Sequence, residues 1–170
     1  FRRSMSAIVL DTERGPIRMR LLLDVAPVTC QFISTLVRDC LYDGCCFYRA
    51  DFVIQAGLTL PNGQKRNQPY GRLTVNESKA SNKRGSVAIA HWDCVEGCGT
   101  GCVQHAPDCG GSEWFINLKD NPHLDTTWGG YCVFAEVDWR DQASQQTITA
   151  IEQAKKEKGQ DTRIWTAKME

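Results

Sequence analysis

Two stretches of this 170-residue chain gather side chains that could do chemistry. The first is CVEGCGTGCVQHAPDC, residues 94–109. Here Cys94, Cys98, Cys102 and Cys109 follow the spacing C-x3-C-x3-C-x6-C, with His105 inside. Closely spaced cysteine pairs are the usual ligands of structural zinc, so these five residues could close a tetrahedral site. With no Cys-x-x-Cys, the run does not read as a thioredoxin-type redox centre. The chain's nine cysteines favour disulfides over zinc or free thiols, either within the run or from it to Cys132 or the Cys45–Cys46 pair. Spacing does not choose among the pairings. The second stretch is CFYRADFVIQAG, residues 46–57, in which Arg49 stands among aromatic and apolar residues. A guanidinium fixed beside an apolar socket can stabilise developing charge where water is excluded. Taken alone, however, an arginine in such a segment is as a rule a solvated surface residue.

Other chemistries find no support. The sequence contains no Gly-x-Ser-x-Gly, no HExxH and no phosphate-cradling loop ending in Gly-Lys-Ser/Thr. Twenty Lys and Arg balance twenty Asp and Glu, so neither DNA, RNA nor an anionic membrane is an expected partner. No apolar run approaches the roughly 20 residues of a membrane-spanning helix. The opening FRRSM lacks the apolar core of a signal peptide and is not expected to be one. The cysteine content, by contrast, leans towards a secretory lumen or the extracellular space.

The elements that must position these residues are legible from hydrophobic period. SAIVLDTERGPIRMRLLLD reads as two strands around a turn at Arg14-Gly15-Pro16. APVTCQFISTLVRDC is an amphipathic helix opening at Pro27, with Val28, Phe32 and Leu36 in one stripe and Ile33 alongside. CCFYR, DFVIQAG, GSVAIAHW, SEWFINL and YCVFAEVDW read as strands. SQQTITAIEQAKKEKG is a second helix, with Ile148, Ile151 and Ala154 inward and Gly159 at its end. TRIWTAKM closes the chain as a strand. Many strands, two helices and no βαβ alternation predict a mainly β protein built as a closed antiparallel barrel. The chain reads as a single domain, residues 1–170, without repeats or linkers.

CFYRADFVIQAG and GGSEWFINLKDNPHLDTTWGGYCVFAEV together resemble two ordered motifs of the cyclophilins, and the order of elements agrees along nearly the whole chain. The resemblance implies an eight-stranded cyclophilin-like barrel and peptidyl-prolyl cis/trans isomerase activity on X–Pro bonds, assisting protein folding. It implies no cofactor and a monomer that binds proline-containing polypeptides. By position, Arg49 matches the catalytic arginine and Gln55 the glutamine that supports it. Phe52, Phe115 and Leu124 match the proline-pocket walls, and Val53 falls among the substrate-binding positions. Ala90 and His91 match the segment that bonds substrate through its backbone, and Trp92, Glu113 and Tyr131 fall at further contact positions.

Several departures qualify the match. Only Ala50 and Asp51 separate Arg49 from Phe52, so the turn carrying the arginine is shortened. Trp92 replaces a small residue, Glu113 a glutamine, and His123 the tryptophan of members that bind cyclosporin strongly, which implies weakened cyclosporin binding. Residues 92–110 replace a much shorter loop beside the groove, as a Cys-rich insertion. The short turn and Trp92 keep a second reading open, in which the barrel is a catalytically weak peptide-binding or assembly module.

Overall fold

The computed structural model describes residues 6–91 and 110–170. Eight strands close into an antiparallel barrel: β1 (Ala7–Thr12), β2 (Gly15–Leu21), β3 (Cys46–Ala50), β4 (Val53–Ala56), β5 (Ser86–His91), β6 (Gly110–Asn117), β7 (Val133–Glu136) and β8 (Thr162–Met169). Around the barrel the order is β1-β2-β7-β5-β6-β4-β3-β8. Closure leaves no strand edge open to another chain. The two helices are α1 (Pro27–Arg38), which packs on β7 and β8, and α2 (Gln142–Lys158), which packs chiefly on β2 and β3.

Alternation sorts the strand side chains into two apolar groups, because successive Cβ atoms point to opposite faces. Ile54, Val87, Ile89, Trp114, Ile116 and Phe134 join the barrel interior. Their neighbours Val53, Ala88, Ala90, Phe115 and Val133 form a separate cluster with Leu124. The interior is anchored by Trp114, which is 1% exposed and meets Phe47 and Tyr42 edge-on at centroid distances of 5.7 and 6.1 Å.

Both helices form where expected, with local differences. Pro27 opens α1, where its missing N–H costs nothing. The buried stripe, however, runs through Cys30, Ile33, Leu36 and Val37, while Val28 stays 48% exposed. Glu77, from a distant loop, completes the N-terminus by accepting from the Thr29 amide at 2.7 Å and its hydroxyl at 2.8 Å. In α2, Ile148, Ile151 and Ala154 are buried as predicted. Asp141 caps its start by accepting from the Ser144 amide, and Gly159 ends it at φ +64°. The first hairpin turns at Glu13-Arg14 rather than one residue later, since Gly15 and Pro16 already pair in β2 with Thr12 and Asp11.

The cysteines require a correction. Cys30, Cys40, Cys45, Cys46 and Cys132 are all free thiols, so the expected bridges to Cys132 and the Cys45–Cys46 pair are not formed. All but Cys40 are buried, and three have polar contacts: Cys30 donates to Phe134 O, Cys45 donates to Leu41 O, and the Cys132 sulfur lies 3.5 Å from the Thr29 hydroxyl. Burial pushes the Cys30 thiol up to about 12 and that of Cys45 to about 11, well away from the reactive thiolate. These residues act as small hydrophobic fillers. Cys94, Cys98, Cys102, His105 and Cys109 lie outside the described residues. Among the described residues, no group of three His, Cys, Asp or Glu side chains could hold a metal ion, and no helix is long and apolar enough to cross a membrane.

Candidate active site

Arg49 lies on β3 directly across from Gln55 on β4. The pairing slips between Phe47 and Arg49, so Tyr48 is an extra residue in the strand. Such a bulge re-aims side chains that strict alternation would send to opposite faces. Here it allows Tyr48 and Arg49 to reach the same glutamine: Gln55 Oε1 accepts from Arg49 Nη1 at 2.9 Å, while Gln55 Nε2 donates to Tyr48 Oη at 2.8 Å. The orientation of the Gln55 amide follows from the next partner. Tyr48 donates its hydroxyl hydrogen to Glu113 Oε1 at 3.1 Å, so its lone pair is left to accept from Gln55. Burial, reinforced by the Glu113 carboxylate, pushes the Tyr48 phenol up and keeps that hydrogen in place.

Glu113 is the buried end of this chain. Its carboxylate accepts from the Leu58 amide at 2.8 Å and the Thr59 hydroxyl at 3.2 Å, and pairs with Lys65. Gly57 makes room for it, since a Cβ there would overlap the carboxylate. Glu113 was expected at a substrate contact. The structure instead covers it and turns its carboxylate towards Tyr48 and Lys65, where it supports Arg49 from behind.

On its other side Arg49 meets Asp51. Oδ2 of Asp51 lies 2.8 Å from Arg49 Nε and 2.7 Å from Nη2, and Oδ1 accepts from the Val53 amide at 3.1 Å. The shortened turn brings this carboxylate onto the arginine. Of the five guanidinium N–H donors, Asp51 and Gln55 engage three, leaving one on each terminal nitrogen. The Arg49 side chain is 45% exposed, and its Cζ lies 5.7 Å from the centre of the Phe52 ring.

The apolar cluster lies beside this head. Phe52 and Tyr131 are partly buried at its margin, while Phe115 and Leu124 reach the surface only at their edges, at 4% and 6% exposure. Val53 is 1% exposed, so it is floor rather than contact surface. Ala90 is buried in the same cluster, and His91 stacks on Tyr131 with centroids 4.2 Å apart. Phe115 also meets Tyr131, edge-on at 5.8 Å. Burial raises the Tyr131 phenol while the nearby Arg49 charge works against that rise. Trp92 falls outside the described residues.

Backbone bonds hold the margin in place. Phe52 O accepts from the Leu118 amide at 3.1 Å, tying its turn to the end of β6. Tyr131 N donates to Leu124 O at 2.8 Å. His123 packs edge-on to Phe52 at 5.5 Å and so does stand at the pocket wall. The Asp125 carboxylate binds the Ser81 hydroxyl and the Asn82 amide, pinning the turn that carries Leu124. Sequence reasoning missed Tyr48 as part of the site, because the bulge that recruits it leaves no mark on the hydrophobic period. The role of Asp51 was within reach, since a carboxylate two residues after Arg49 in a shortened turn has few other places to go.

Comparison with known proteins gives this barrel its family. The family model described as "Cyclophilin type peptidyl-prolyl cis-trans isomerase/CLD" matches residues 7–169. This chain belongs to that family. Among curated cyclophilin relatives, peptidyl-prolyl cis-trans isomerase-like 1 of Rhizopus delemar is 31% identical over 135 residues, covering 76% of this chain and 72% of that protein. Peptidyl-prolyl cis-trans isomerase ppi1 of Schizosaccharomyces pombe is 32% identical over 138 residues, covering 78% and 79%. A cyclophilin-type isomerase of Cryptosporidium parvum, solved in the presence of the dipeptide Ala-Pro, superposes with a TM-score of 0.74 at 20% identity. That match covers 96% of this chain and 98% of the other and shows the shared fold.

Proposed function

We propose that this cyclophilin accelerates rotation about X–Pro peptide bonds in polypeptides, with Arg49 as the catalytic residue. The observation that carries the reading is the double anchoring of Arg49 by Asp51 and Gln55, beside an apolar cluster bordered by Phe52, Phe115, Leu124 and Tyr131. Rotation about an amide faces a barrier of about 18–20 kcal/mol because the nitrogen lone pair is delocalised into the carbonyl. As the bond twists, the proline nitrogen becomes pyramidal and regains a lone pair that can accept a hydrogen bond. The N–H groups left on Arg49 are available for that bond, and the cluster offers the ring an apolar seat. No nucleophile or cofactor enters the step. Anchoring matters because a donor fixed in advance needs no reorganisation at the moment of reaction.

Ala90 and His91, at the end of β5, would bond the extended peptide through their backbone. Gln55 acts as a positioning residue, with Tyr48 and Glu113 behind it. His123, in the tryptophan position, supplies a smaller aromatic face and leads to weaker cyclosporin binding than in members with the indole. Placement in a secretory lumen now rests on the loop cysteines alone, since the five described thiols are free. The shortened turn, one of the two grounds for a non-catalytic module, leaves the Arg49–Gln55 bond intact. The test is exchange NMR on a short proline peptide at catalytic protein concentration. Line broadening of the cis and trans signals is the expected result, and binding without accelerated exchange would contradict the proposal.

A further inference from the structure

Away from Arg49, a cavity of about 650 Å³ opens along β2, β7 and the loops before β5 and α2. Its floor includes Leu22 and Val133, which also pack the apolar cluster, so the groove shares a wall with the candidate site. Five cations line it: Arg18, Arg20, Lys83, Arg84 and Arg140. Three carboxylates stand among them, each already engaged. Glu136 pairs with Arg20, Asp138 accepts from the Arg140 amide at 2.9 Å, and Asp141 caps α2. Arg18 pairs with Glu170.

Among the described residues, Lys83, Arg84 and Arg140 have no carboxylate in ion-pair range. Lys83 and Arg84 are exposed, and Arg140 lies 5.1 Å over the ring of Trp139. Trp139 is 72% exposed, a large aromatic surface left in water at the mouth of the groove. A chain of zero net charge has therefore segregated a cationic groove with an aromatic edge.

We propose that this groove is a second binding surface, separate from the proline site, for an acidic segment of a client or partner polypeptide. Carboxylate side chains would meet Lys83, Arg84 and Arg140, and an apolar or aromatic residue beside them would lie on Trp139. The interleaved carboxylates favour a polypeptide over nucleic acid. A continuous phosphate backbone would be repelled by Glu136, Asp138 and Asp141, whereas a peptide can approach them with backbone N–H groups. The inference does not depend on catalysis at Arg49.

The experiment titrates the full chain with a proline-free peptide of six Glu and Asp residues around one Phe, following the anisotropy of a dye on the peptide. The same peptide with Gln and Asn in place of the acids, and a single-stranded oligonucleotide, serve as comparisons. Binding of the acidic peptide alone is expected, weakening as salt is raised. The double variant Lys83→Glu/Arg84→Glu should weaken it by about tenfold or more, as reversal of two exposed charges allows. Trp139→Ala should weaken it less, and Arg49→Ala not at all. Both groove variants should keep wild-type melting temperature and wild-type turnover of a short neutral proline peptide. Tighter binding of the oligonucleotide, equal binding of the neutral peptide, or loss of acidic-peptide binding in Arg49→Ala would each overturn the proposal.

Discussion

The barrel interior and the outer cluster are made by the same strands, yet they differ in what they bury. The interior is sealed by large side chains: Trp114, Phe47, Phe134 and Tyr42 are each 1% exposed or less. The outer cluster pairs small floor residues, Ala88, Ala90 and Val53, with aromatic rings at a margin that also carries a charged arginine. Adjacent residues such as Trp114 and Phe115 belong to different groups because they point to opposite faces. The inner face holds the protein together, and the outer face, on the proposed reading, keeps apolar surface for a ligand. A substitution on one face should then register as stability and on the other as activity.

The largest effect tests that division. Trp114→Ala would empty the centre of the barrel and is expected to cost about 3–5 kcal/mol, a large share of the roughly 5–15 kcal/mol available to a domain. Phe52→Ala, at the half-buried margin, should lower turnover strongly while moving the denaturation midpoint far less. Urea melts alongside exchange kinetics on both variants check this. Comparable losses of stability in the two would break the distinction between the faces.

A smaller effect sharpens it. Tyr48→Phe removes the acceptor that orients the Gln55 amide while keeping the ring. It loses two hydrogen bonds, the one that orients Gln55 and the one to Glu113. At about 0.5–1.5 kcal/mol for the first, kcat should fall by about twofold to tenfold with KM nearly unchanged. Glu113→Gln retains an acceptor for Tyr48 but sets an amide N–H against the Leu58 N–H and gives up the Lys65 pair. It should therefore lower melting temperature, while kcat falls less than in Tyr48→Phe. Steady-state kinetics on the two variants separate positioning from general destabilisation, since a purely structural role would move both through melting temperature.

Much of this organisation was legible in the sequence. Every strand follows from an alternating or β-prone run, and Pro27 and Gly159 mark helix ends by their backbone constraints. Phe52, Phe115 and Leu124 could be placed on one wall because their motif matches a family whose members share the barrel. What stayed hidden depends on contacts between distant segments. The bulge at Tyr48 is a matter of register between β3 and β4, which no local period encodes. Glu77 caps α1 from a loop 48 residues on. The α1 stripe was misread because Val28 is apolar yet solvent-facing, and periodicity alone cannot say which of two overlapping stripes meets the barrel. For the five described cysteines the count misled for another reason: the same residue type serves as staple or as core filler, and only the distance to a second cysteine tells the two apart.

The smallest expected effect concerns pH. Burial alone would raise the Asp125 carboxyl, but hydrogen bonds from Ser81 and Asn82 outweigh it and hold the group below its usual range. With the folded value depressed, this stabilisation is fully present above the unfolded carboxylate value of about 3.9. It is lost as pH falls through the folded value. Asp125→Asn should therefore be less stable than wild type near pH 6, with the gap closing below about pH 4. Melting temperatures across that range check it, and a gap that widens in acid would show the sign to be wrong.

The most direct test of the account is the isomerisation rate of Arg49→Ala measured beside its stability. Loss of one preorganised donor typically costs about 10²–10³ in rate, and Arg49 is exposed enough for the fold to survive its removal. The account predicts a fall of that size in kcat/KM, with melting temperature within a few degrees of wild type and proline-peptide binding largely retained. Turnover that persists at the wild-type level in a folded Arg49→Ala protein would contradict it.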